Sequence, residues 1–123
     1  MYKLSVEQHF DAAHALRGYK GKCENLHGHR FRVMVKARSS QLDDIGLAFD
    51  FSELKRMLKG VLSRFDHTNL NETPPFDKIN PSSENIARTV YDAMKAELED
   101  SPVKLSGVKV WESPESAVEY RED

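Results

Sequence analysis

The chain has one cysteine, Cys23, in 123 residues, so no intrachain disulfide can staple it, which agrees with a reducing compartment. It also lacks any apolar run near the ~20 residues that span a bilayer. Lys3 and Glu7 interrupt the N-terminal stretch where a secretory signal needs unbroken apolar residues. A cytoplasmic protein without a membrane partner is expected. Charge of one sign is missing too: 18 Lys and Arg against 20 Asp and Glu leave a formal net charge of -2. That argues against a general nucleic-acid binder, whose affinity rests on a basic footprint, and leaves room only for local basic patches. No repeat or low-complexity tract breaks the chain. What remains, 39% hydrophobic and 31% charged residues, is the composition of a soluble globular protein. The length fits one domain over residues 1–123, burying somewhat under about 70% of its unfolded surface.

The only cysteine and two of the five histidines fall in one heptapeptide, Cys23-Glu24-Asn25-Leu26-His27-Gly28-His29. If a strand begins here, His27 and His29 stand at i and i+2, project from one face roughly 7 Å apart, and can converge on one ion. Gly28 leaves room on the opposite face. His14, in Phe10-Asp11-Ala12-Ala13-His14, is the nearest third donor. Three neutral imidazoles without a fourth protein ligand make an open, catalytic zinc site in which water or substrate takes the remaining position. Each residue has a plainer reading. A lone histidine is more often a hydrogen-bonded core or surface residue than a ligand, and a lone cysteine more often a small buried apolar side chain than a nucleophile. The coincidence of these groups in a short chain favours the site.

Hydrophobic periodicity organises the rest. Tyr2, Leu4 and Val6 alternate with Lys3, Ser5 and Glu7, a half-buried strand over residues 2–8. Phe10 to Leu16 is expected to turn the chain and place His14. From His29, Phe31, Val33, Val35 and Ala37 face one way and Arg30, Arg32, Lys36 and Arg38 the other, which puts His29 at the margin of the core face. Asp50 or Ser52 can cap a following helix, Asp50 with Glu53 resembling a capping box. Its buried stripe is Leu54, Met57, Leu58, Val61, Leu62 and Phe65. A second helix opens near Pro81-Ser82-Ser83, carries Ile86, Ala87, Val90, Met94 and Leu98, and ends before Pro102. Val108, Val110 and Glu112 share a strand face, Ser113-Pro114-Glu115-Ser116 turns, and Ala117 to Arg121 returns. The expected fold is α+β, in the order ββααββ: a four-stranded antiparallel sheet with both helices packed on one face. Two exposed edges then invite oligomerisation. The basic outer face suits solvent or a charged channel formed between joined sheets.

With these residues in place, the sequence resembles the 6-pyruvoyltetrahydropterin synthase and 6-carboxytetrahydropterin synthase family, of the tunnelling fold. The resemblance rests on Phe10-Asp11-Ala12-Ala13-His14, Cys23 with His27-Gly28-His29, Asp50-Phe51, Asp66-His67 with Leu70-Asn71, Pro81-Ser82-Ser83-Glu84-Asn85 and Glu112. It implies a zinc enzyme acting on 7,8-dihydroneopterin triphosphate, with His14, His27 and His29 as metal ligands and Cys23, Asp66 and His67 as catalytic residues. Glu112 matches the pterin anchor, and Ser82 and Ser83 lie in a segment that helps hold the substrate. Only Glu24, Asn25 and Leu26 separate Cys23 from His27, which resembles the carboxy branch feeding queuosine and other deazapurines, whereas the pyruvoyl branch usually has a longer gap. The family implies a homo-oligomer, a trimer or a dimer of trimers. By the residues' chemistry, Cys23 serves as a thiolate base, His67 as its proton partner and Asp66 as the group orienting that imidazole. Lys20, Lys22 and Arg30 are the local cations closest to the motif, available to a triphosphate. Competing accounts are a pyruvoyl synthase, a structural zinc module with a closed Cys-His₃ site, and a cysteine hydrolase using Cys23, His67 and Asp66 without metal.

Overall fold

The computed structural model describes residues 1–21 and 24–122. The elements in chain order are β1 (Tyr2–His14), β2 (His27–Ser39), α1 (Phe51–Leu62), β3 (Thr68–Asn69), α2 (Ser83–Glu97), β4 (Lys104–Ser113) and β5 (Ser116–Tyr120), with a short 3-10 turn at Leu70–Glu72. One sheet holds all the strands in the order β3-β1-β2-β4-β5. The α+β class and the two helices are as expected, but the sheet is five-stranded and mixed, not four-stranded and antiparallel. The addition is β3, which pairs parallel to β1 through Ala12↔Thr68 and Ala13↔Asn69. A two-residue strand has no period to detect, so alternation could not have found it.

A second difference concerns β1. The segment from Phe10 onward does not turn; it continues as strand to His14, with Phe10, Ala12 and His14 buried on the face of Leu4 and Val6. Asp11 and Ala13 between them are short enough to sit on the other face. β1 and β2 therefore pair antiparallel over their whole lengths, from Tyr2↔Ser39 to His14↔His27. β4 adds to β2 with a register shift: Gly107 faces Lys36 while Leu105 faces Ala37, leaving Ser106 as the extra residue. Both Leu105 and Val108 thereby point into the core despite their odd spacing.

Both helices cover that inner face. Asp50, extended at φ -73°, accepts a hydrogen bond from the Ser52 amide and caps α1. Glu53 instead pairs with Arg56, so the capping box is not closed. Ser82 caps α2 by accepting from the Asn85 amide. The stripes meet the sheet through Leu54, Leu58, Ile86, Val90 and Met94, all fully buried in one core cluster with Phe31, Val33 and Val35. Phe10 stacks on Phe31 with centroids 4.9 Å apart and leans on Phe65 at 6.2 Å, so the aromatic part of the core lies just below the histidine ends of β1 and β2.

Candidate metal centre and active site

The antiparallel register alone assembles three imidazoles. His14 lies directly opposite His27, and His29 opposite Ala12, so all three rings rise from the inner face where β1 and β2 meet. Ring centroids are 4.6 Å apart for His14–His27 and His27–His29 and 5.4 Å for His14–His29. Phe31 supports His14 and His29 edge-on from below, at 5.2 and 5.8 Å. β4 brings in Glu112, whose Oε1 lies 2.9 Å from His14 Nε2 and 3.5 Å from His29 Nε2. One donor atom from each of the four residues falls within 4.8 Å of the others.

Hydrogen bonding fixes what these rings offer. His14 Nδ1 is 2.7 Å from the Pro81 carbonyl and His27 Nδ1 is 2.7 Å from the Asn25 carbonyl. A carbonyl only accepts, so each Nδ1 carries a proton and, in the neutral ring, each Nε2 presents a lone pair, the orientation that backbone carbonyls impose on metal-binding histidines. His14 Nε2 is buried without a hydrogen-bond partner among the described residues. With the ring neutral, its 2.9 Å approach to Glu112 sets acceptor against acceptor, an arrangement that a cation between them would relieve. Burial, the largest influence, lowers the His29 pKa below its ordinary value, with Glu112 opposing, which favours the neutral ring a metal needs. Bond lengths of ~2.0–2.2 Å in a tetrahedral zinc site place two donor atoms roughly 3.3 Å apart. The two separations to Glu112 bracket that figure. The residues fit a zinc-type ion, with the three histidines and Glu112 as its candidate donors.

Asp66 and His67 form a separate group at the β3 edge of β1. Asp66 Oδ1 accepts the Asp11 amide at 3.0 Å, His67 donates its own amide to the Asp11 carbonyl at 2.6 Å, and His67 Nδ1 lies 3.0 Å from Asp66 Oδ2. His67 sits at φ 58°, a left-handed conformation that costs a non-glycine residue roughly 1–2 kcal/mol and is held here by these bonds. The Asp11 backbone's hydrogen bond lowers the Asp66 pKa first of all, so that carboxylate stays ionised and can orient the ring. Asp11 itself projects to the outer face, where Arg30 grips it through Nε at 3.0 Å and Nη2 at 3.2 Å. The two groups thus share β1 but occupy opposite faces of it. Cys23, the proposed base, lies outside the described residues, as does Lys22.

A model of the 6-pyruvoyl tetrahydropterin synthase family matches residues 3–123. The chain belongs to that family. It is 34% identical over 145 residues to a 6-carboxy-5,6,7,8-tetrahydropterin synthase of Haemophilus influenzae, covering 99% of this chain and all of that one. It is likewise 34% identical to the enzyme of the same name from Bacillus subtilis, covering 98% and 85%. The Caenorhabditis elegans 6-pyruvoyl tetrahydropterin synthase structure superposes with a TM-score of 0.87 at 28% identity, over 99% of this chain and 96% of that one.

Other candidates in this synthase-family chain are placed less centrally. Ser82 is engaged as the α2 cap and Ser83 begins that helix, both half-buried next to the Pro81 carbonyl that orients His14. Lys20 is exposed. The residues that sequence reasoning missed are scaffolding ones. Asn71 mimics a paired strand, accepting the Ala15 amide at 2.8 Å and donating to its carbonyl at 2.9 Å. Asn80 does the same for Arg17, at 2.8 and 3.1 Å. These side chains tie the segment after His14 to the one that carries Pro81. No residue pattern announces a side chain whose partner is distant backbone. Glu112 was expected beside a pterin; its place among the histidines follows from β4 pairing with β2, which spacing does not reveal.

Proposed function

We propose that this chain is a 6-carboxy-5,6,7,8-tetrahydropterin synthase, a zinc-dependent carbon–oxygen lyase. It converts 7,8-dihydroneopterin triphosphate and water to 6-carboxytetrahydropterin, acetaldehyde and triphosphate, in the cytoplasm and in the synthesis of queuosine and related deazapurines. The observation that carries the reading is the convergence of three carbonyl-oriented or sheet-fixed imidazoles with a carboxylate beside them, on a scaffold matched end to end by the two bacterial relatives. The short interval between Cys23 and His27 favours the carboxy branch over the pyruvoyl one.

His14, His27 and His29 hold the zinc. When bound, it supplies charge that makes the substrate's side-chain hydroxyls more acidic and stabilises negative charge developing on oxygen. Cys23 removes a proton as thiolate, and the His67 imidazole, kept in orientation by Asp66 Oδ2, receives and returns it. Glu112 accepts hydrogen bonds from the 2-amino and N3 groups of the pterin ring, with Ser82 and Ser83 beside it. Because Asp66 and His67 face away from the three histidines of their own chain, the reading assigns them to the site of a neighbouring copy. The outer edge of β5, unpaired among the described residues, and the minimal β3 edge offer sheets a way to join into trimers, singly or paired.

Incubating the zinc-loaded protein with dihydroneopterin triphosphate and weighing the pterin product tests this directly. A six-carboxy product is expected; a pyruvoyl product would keep the family and displace the branch. Cys23→Ala is expected to retain zinc and lose turnover. Loss of zinc together with thermal stability would identify a closed Cys-His₃ structural site instead, and turnover that survives chelation would point to a metal-free cysteine hydrolase.

A further inference from the structure

At the end of the sheet away from the histidines, a cavity of about 800 Å³ opens between the start of β4, the end of β2 and the C-terminal half of α2. Ten residues of β1 separate Lys3 there from His14, eleven steps and on the order of 35 Å of strand. Lys3, Arg38 and Lys104 line it, and the register sets them abreast: Lys3 is directly opposite Arg38 and Arg38 directly opposite Lys104. Like charges directly opposite on neighbouring strands repel.

Elsewhere in the sheet this chain compensates its strand cations. Arg30 pairs with Asp11, Arg32 with Glu7, and Lys36 with Glu119, while Lys109 lies over the Trp111 ring at 4.7 Å. Lys3, Arg38 and Lys104 form no ion pair with any described residue. The cavity's own carboxylates do not serve them. Glu122 is taken by Lys95 at 2.8 Å, and Asp92 and Glu99 belong to the helix side of the cavity. Tyr91, Leu98 and Leu105 are buried on its helix side, whereas Lys3, Arg38 and Lys104 alternate with buried Leu4, Ala37 and Leu105 and project from the other face of the sheet. Three cations on adjacent strands span roughly 10 Å at ~4.8 Å per strand. A single small anion meets one or two of them; a chain of linked phosphates meets all three.

We infer that this cavity is a second ligand site, binding an oligophosphate through Lys3, Arg38 and Lys104 at the end of the sheet opposite the histidines. The group is free di- or triphosphate or the phosphate tail of a nucleotide.

Calorimetric titration of the full chain with sodium tripolyphosphate and, separately, with ATP tests the site. Both probes are expected to bind, and Arg38→Gln with Lys104→Gln to weaken each at least tenfold, while His27→Ala leaves this binding unchanged. Tighter ATP binding adds nucleoside contacts to the site; equal affinity confines recognition to the phosphates, and either supports the site. If the double variant does not fold, Lys3→Gln alone is expected to weaken binding threefold or more. No binding at millimolar concentration, affinity indifferent to these substitutions, or binding abolished by His27→Ala overturns the proposal. Since the readout needs neither turnover nor zinc, its failure is distinct from failure of the synthase reading.

Discussion

Glu112 decides between two uses of one carboxylate, and Glu112→Gln separates them. As a pterin anchor, the carboxylate accepts two hydrogen bonds from ring N–H groups, each worth about 1.5–3 kcal/mol because the acceptor is charged. Glutamine keeps the shape, accepts one bond without the charge, and turns an amide N–H against a donor. The expected loss is about 2–4 kcal/mol, roughly 30- to 1000-fold in kcat/KM. Zinc affinity should change less than about tenfold, because His14 and His27 are oriented by the Pro81 and Asn25 carbonyls and not by Glu112. Competition against a chromogenic chelator reads the metal, and timed mass analysis of product reads turnover. The Oε1 position 2.9 Å from His14 Nε2 is what makes the opposite outcome concrete. Should the variant lose tenfold or more in zinc affinity and regain activity in excess zinc, Glu112 is a fourth ligand and the anchor assignment is refuted.

Asn71→Ala removes both partners of the Ala15 backbone, about 1–3 kcal/mol for two hydrogen bonds, and should lower Tm by on the order of 5–10 °C in a thermal melt. The depressed pKa values of Asp66, set mainly by the Asp11 amide, and of Asp11, set mainly by its hydrogen bond from Arg30, give an acid limb. Their stabilisation is complete above the ordinary carboxylate value of 3.8 and is lost as pH falls through the lower folded values, so Tm followed from pH 6 to pH 2.5 should drop less steeply in Asp66→Asn than in the parent. Mixing His27→Ala with His67→Ala, each inactive alone, and allowing subunits to exchange should restore partial activity, since a mixed oligomer contains sites drawing both groups from unaltered copies. Absence of recovery after verified exchange would place His67 in its own chain's site.

Much of this was legible in the letters because side-chain period and strand geometry are the same fact. Alternation through Phe31, Val33, Val35 and Ala37 put His29 on the core face, and the structure agrees. The helix stripes from Leu54 and Ile86 were equally direct. What stayed hidden depends on contacts between distant segments. β3 is two residues long, Asn71 and Asn80 bind backbone, and the Ser106 bulge exists only relative to Lys36 and Ala37. Nor could spacing show that Asp66 meets the backbone of Asp11, 55 positions away.

The two candidate groups are coupled by parity. β1 presents His14 on its inner face and Asp11 on its outer one, so one strand delivers a candidate metal ligand to the helix side and an Arg30-bound carboxylate to the other, while its backbone fixes Asp66 and His67 at the edge. A shift of register by one residue between β1 and β2 would exchange those faces, carrying His14 away from His27 and His29 and turning Asp11 into the aromatic core beside Phe31 and Phe65. The stacked Phe10 and Phe31 rings, which face each other in the pairing, oppose that slip through the cost of exposing them. Core packing just below the histidines therefore does more than stabilise the fold: it selects the register in which three imidazoles can meet.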